Sequence, residues 1–151
     1  MSTDRPDLPT FDGRDVREHA SGADESIRAI CHITGWPHGM TYPSDAYTVI
    51  SNLAALAAKL PHAFRQIDHT LHRWNTAGHV GIDHGRPYEG NPGGAVAETA
   101  RALAEASNSA AELYTALHDA AELLAGAHWT GTDPYVEIID ERDNDADGAV
   151  D

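Results

Sequence analysis

The sequence predicts an all-α protein: a long antiparallel helical hairpin that completes a four-helix bundle by dimerising, with disordered acidic ends. Three observations predict it. Ala46, Leu53, Leu60, Ile67 and Trp74 recur every seven residues, interleaved with Ile50, Ala57, Phe64 and Leu71. After a Gly/Pro-rich break the pattern returns as Val96, Leu103, Ala110, Leu117 and Leu124, interleaved with Ala106, Leu113, Ala120 and Ala127. Apolar residues alternating three and four apart form one stripe down a helix, so each segment buries one face. The rest of the chain is polar, acidic and rich in turn residues.

Residues 1–26 hold few large apolar groups and many charges, so burial cannot repay their ordering, and they are expected to form a disordered N-terminal arm. Residues 27–43 carry Ile27, Ile30, Ile33, Trp36, Met40 and Tyr42 between Gly35, Pro37, Gly39 and Pro43. That mixture predicts a turn-rich apolar flap. The hairpin domain spans residues 44–129, with helices over about 44–76 and 92–127. The first starts at Ser44, whose hydroxyl can cap free N–H groups, with Asp45 in the first turn, and it ends at Asn75 and Gly78. Pro61 sits in its middle, and because the seven-residue register passes through it unbroken, a kink is expected in place of a loop. The second starts at Asn91 with Pro92 in the first helical position, and Gly126 marks its fraying end. Residues 130–151 form an acidic disordered tail.

The alanine-rich second helix lets a neighbour approach closely, with Phe64, Leu60, Ile67 and Leu56 of the first filling the space. Two helices alone leave part of each stripe wet. Val49, Leu56 and Ala63, with Ala100, Tyr114 and Ala121, widen the stripes beyond one seam. At roughly 1.5–3 kcal/mol for each buried large side chain, something must cover them. The candidates are a second copy, residues 27–43, or an unidentified protein partner; the homodimer is expected, with Val49, Leu56, Phe64 and Tyr114 at its interface.

Net charge is −14 over 151 residues, and residues 129–151 alone contribute −7, from eight acidic and one basic side chain. A field of this sign repels phosphate, so direct nucleic-acid and anionic-membrane binding are disfavoured. With the single cysteine Cys31 no intramolecular disulfide can form, and the start MSTDRPDLPT has neither the basic nor the apolar part of a signal peptide. A cytoplasmic location is the default expectation. Cys31 itself reads as a small buried thiol.

Ten histidines are present, five of them from His62 to His84. His69 and His72 lie one helical turn apart, and His79, Asp83 and His84 follow in the connector, a set of metal-ligand type. Their glycine-rich setting favours solvated side chains over a metal centre, so no metal and no cofactor are expected. No phosphate-binding loop or dinucleotide glycine pattern occurs, and Ser, His and Asp are too scattered for a triad. The connector from Asn75 to Asn91 is long for a hairpin, and its Ile82 and Tyr88 could dock on a partner.

Three resemblances accompany these readings. Arg14 with His19, Arg65 with His72 and Arg73 with His79 match the arginine-to-histidine spacing of HEPN ribonucleases. Of these pairs Arg65 and His72 lie firmly on a helix, and the resemblance implies an RNA-cutting site with His72 as acid or base and Arg65 on the phosphate. Trp129, Thr130 and Gly131 are similar to the signature triplet of small secreted WXG-type hairpins. There the triplet lies between the helices; here it follows the second, so Trp129 reads as an apolar plug at the helix end. Residues 44–129, with alanine-rich paired helices and the Leu60–Pro61 step, resemble uncharacterised small helical-hairpin proteins of actinobacteria and their mobile elements or phages. That last resemblance implies a hairpin and no activity. The function expected is therefore a non-enzymatic interaction or assembly module, with a HEPN-like ribonuclease or metal-binding protein and an acidic decoy of a nucleic-acid-binding protein as alternatives.

Overall fold

A computed structural model describes residues 11–36 and 39–131, and the described residues are all-helical, without strands. Residues 1–10 of the expected N-terminal arm, and all of the expected tail beyond Gly131, lie outside them. The chain divides into two compact units, the second spanning Tyr42–Thr130.

Helix α1 (Val16–Thr34) belongs to the first unit and corrects the sequence reading, which expected a mobile arm to residue 26 and turns from 27. Its start is over-determined. Asp15 Oδ1 accepts the backbone N–H groups of Arg17 and Glu18 at 2.8 and 3.1 Å, while Glu18 Oε2 accepts that of Asp15 at 2.7 Å. This reciprocal capping box satisfies donors that every helix N-terminus leaves orphaned. Upstream, Asp12 and Gly13 turn the chain with positive φ at both residues, and Phe11 and Arg14 bond each other's backbone across the turn. Glu25 and Arg28 pair one turn apart along the helix. At its other end the backbone of Gly39 runs so close to α1 that a Cβ there would sit 1.8 Å from the Ile33 carbonyl oxygen, so only glycine fits. Cys31 is exposed on α1, not buried as expected.

The second unit holds α2 (Pro43–Thr76) and α3 (Pro92–Leu124), which pack against each other. Helix α2 begins one residue before the predicted Ser44, because Pro43 takes the first helical position and Asp45 Oδ2 accepts the Tyr42 N–H at 2.9 Å. It continues without a break through Pro61. It ends in a Schellman turn: Gly78, at φ +72°, donates to Asn75 O at 3.0 Å and His79 donates to Trp74 O at 2.9 Å. Helix α3 starts at the predicted Asn91 cap, whose side chain accepts the Gly94 N–H at 3.0 Å. It stops at Leu124, short of the predicted 127, with Gly126 left-handed at φ +85°.

Contacts between the two helices pair late residues of α2 with early residues of α3. Asn75 lies against Gly93, and Phe64, Arg65 and Asp68 share a groove with Ala100, Leu103, Ala104 and Ser107. The core is made of small residues: Ala54, Ala57, Val96, Ala110 and Ala121 are the buried ones among those described.

Candidate functional site

Which rows of each helix face the other follows from burial. On α2 the covered rows are Ile50, Ala57, Phe64 and Leu71 with Ala54, Pro61, Asp68 and Asn75, all buried or half-buried. On α3 they are Val96, Leu103, Ala110, Leu117 and Leu124 with Ala100, Ser107 and Ala121. The sequence reading placed Leu60, Ile67 and Leu56 in this seam. The structure leaves Leu56 and Ile67 exposed and Leu60 half-buried, while alanine and proline on the covered rows permit a close approach of the two backbones.

What is left over is a set of apolar rows beside the seam. Leu56 is 38%, Ile67 49%, Trp74 47% and Leu113 49% exposed, and Val49, Leu53 and Leu60 are half-buried. Large apolar groups on neighbouring turns of a water-facing helix surface mark interaction sites. The four predicted interface residues divide accordingly. Val49 and Leu56 lie on the open rows, whereas Phe64 lines the groove with α3 and Tyr114 stacks on His118, its ring centroid 5.8 Å away.

The polar candidates gather less closely. Arg65 and Asp68 edge the groove between the helices, and Asp68 Oδ1 lies 3.0 Å from His72 Nδ1, an ion pair when the ring is protonated. Arg65 instead approaches His62, with Nη2 3.4 Å from Nδ1. Arg65 and His72 stand two turns apart, about 10 Å along the axis, and each turns to a different neighbour. The structure does not bring them onto one point.

Of the metal-type residues, His69 is exposed on the outer side of α2 beside His62 and Gln66, and His72 is engaged with Asp68. His79 is part of the Schellman turn, Asp83 accepts the Arg86 N–H through its backbone carbonyl, and His84 Nδ1 pairs with Glu89. Among the described residues no group of three or more His, Cys, Asp or Glu is placed to hold a metal ion. The connector is organised instead by Glu89, which the sequence reading overlooked. Its carboxylate accepts the Gly85 N–H at 2.9 Å and meets His84, and these bonds, Gly85's first, hold its pKa below the usual carboxylate value. The acid four residues after a turn glycine was the available signal.

No helix among the described residues is long and apolar enough to cross a membrane. Compared with family models, with curated proteins and with solved structures, the chain finds no match.

Proposed function

We propose that α2 and α3 form an antiparallel hairpin whose open apolar rows bind a second copy, making the protein a homodimeric, non-enzymatic assembly module. The antiparallel direction is supported by the contacts of Asn75 with Gly93 and of Phe64 with Leu103 in one groove. The single observation that carries the reading is the exposure of Leu56, Ile67, Trp74 and Leu113 on rows next to the seam.

Geometry makes those rows one surface. On α2 the open rows contain Leu53, Leu60, Ile67 and Trp74, and Val49, Leu56 and Ala63; on α3 they contain Ala106, Leu113 and Ala120, and Ala102, Ala116 and Leu123. On both helices they are displaced from the seam by the same rotation about the helix's own axis. When two helices face each other and run in opposite directions, equal rotations carry both sets to the same side of the pair. One broad apolar face results, of the kind that a four-helix bundle buries. Each large side chain covered there is worth roughly 1.5–3 kcal/mol, so covering several of them rivals the whole stability of a small domain.

Sedimentation equilibrium of the full chain tests this. The wild type is expected to weigh twice the chain mass, and Leu56→Glu to return it to one chain while circular dichroism stays helical. A wild type that remains monomeric at the highest soluble concentration refutes it.

A further inference from the structure

Resting on the homodimer just proposed, the charges that border the open face specify how two copies stack. The row next outward from it on α2 reads Asp45, Asn52, Lys59, Gln66 and Arg73, with Asp45 engaged at the helix start by the Tyr42 N–H; on α3 it reads Glu98, Glu105, Glu112 and Asp119. Beyond its first turn the α2 border is cationic, through Lys59 and Arg73, and the α3 border is a ladder of four carboxylates. Arg101 bridges Glu98 and Glu105 at 2.7 and 2.8 Å, which leaves the row acidic overall.

Two hairpins can be stacked face to face by a twofold axis in two ways. With the axis perpendicular to the helices, α2 lies on the partner's α2 and α3 on the partner's α3. The carboxylate ladders then run beside each other, and so do the cationic rows. With the axis parallel to the helices, α2 lies on the partner's α3, and each cationic row borders an acidic one. Like charges set side by side act against a pairing as effectively as opposite charges favour one.

Side-chain size selects the same arrangement. An axis parallel to the helices keeps every residue at its own height, so the register within the hairpin, Asn75 by Gly93, also sets the register between copies. Leu60 then meets Ser109 of the partner subunit and Ile67 meets Ala102 of the partner subunit, large against small. Lys59 falls level with the gap between Glu105 of the partner subunit and Glu112 of the partner subunit. We propose that the dimer has its twofold axis along the bundle, with α2 of each copy on α3 of the other, selected by pairing of Lys59 and Arg73 with the carboxylates of that α3.

Charge exchange at two exposed positions tests it, since neither side chain enters the hairpin seam. Dimer dissociation constants of the full chain are measured for the wild type, Lys59→Glu, Glu112→Lys and the combined variant, with helicity checked for each. Each single reversal is expected to weaken the dimer roughly tenfold, because twofold symmetry alters two borders at once, and the combined variant to restore it. High salt should shrink these differences. If α2 lay on α2, Glu112→Lys would relieve repulsion and tighten the dimer; that result, or a neutral Lys59→Glu, overturns the stacking while leaving the dimer intact. A monomeric wild type overturns the dimer itself.

Discussion

The side of α2 that meets α3 sets Ala54, Ala57 and Pro61 among Ile50, Phe64 and Leu71, whereas the rows beside it carry Leu53, Leu56, Leu60, Ile67 and Trp74. The fully buried residues of α2 are Ala54 and Ala57, whereas Leu56, Ile67 and Trp74 face water and Leu53 and Leu60 are half-buried. Hydrophobic stabilisation scales with the apolar area removed from water, so a seam whose most buried residues are mainly alanines contributes little for its length. Its value is geometric: it lets two backbones approach and fixes the direction in which the larger side chains point. The difference between the two sides indicates where specificity and where energy reside. The seam sets the shape, and the open face holds most of the unused burial.

The sharpest way to break that comparison is to exchange size across it. Ala57 is 1% exposed, so Ala57→Leu adds volume where none is free and should cost about 1–3 kcal/mol, read as a lower thermal midpoint at every protein concentration. Leu56→Ala, one residue away, should leave the midpoint of dilute, monomeric protein almost unchanged and lower it only where copies associate. Equal effects of the two variants at all concentrations would mean that the two sides are equivalent.

The existence of α2 and α3 was legible because each carries five heptads of apolar residues and recognisable ends, such as Asn91 and Gly78. Their facing was not. Four adjacent rows of α2 are apolar over much of their length, and periodicity alone cannot say which two are covered. Ile50, Ala57, Phe64 and Leu71 are covered, as the heptads predict; of the companion row the heptads predict, Leu53 and Leu60 are half-buried and Ile67 is exposed, while Ala54, Pro61 and Asp68 on the other side are covered. Asp68 and Asn75 on the covered row disguised it. Helix α1 is hard to read because its stripe, Val16, Ala20, Ala23, Ile27 and Ile30, is short and set among Ser21, Gly22 and Ser26. The legible signal was Asp15 followed three residues later by Glu18. The site was less visible still, since the histidines drew attention and Glu89 did not.

The connector sharpens the comparison at smaller scale, for it is held by polar bonds where the helices use packing. The Gly85 N–H lowers the Glu89 pKa more than His84 does, and it is the backbone bond that closes the turn. Glu89→Ala should therefore speed hydrogen exchange of the Gly85 amide roughly tenfold, and His84→Ala should change it much less. Because the Glu89 pKa is lowered on folding, this hold is present above the ordinary carboxylate value near 4.3 and lost as pH falls through the lower folded value. Equal exchange in the two variants would show that His84 carries the turn.

The smallest effect concerns α1, whose start depends on a half-buried carboxylate with a pKa lowered to about 2, chiefly by the Arg17 side chain and then by the Glu18 N–H. A group whose pKa falls on folding stabilises the folded form above its unfolded value, about 3.9 for aspartate, and loses that contribution as the solution is acidified through the folded value. The Asp15 cap should thus hold at pH 4 and fail between there and about 2. The Arg17 and Glu18 amide shifts should titrate with a midpoint near the lower end of that window. Arg17→Ala removes the largest cause but keeps both backbone donors, so the midpoint should rise and still stay below 3.9. A midpoint already near 3.9 in the wild type would mean that the capping box is open in solution and that α1 begins further along the chain.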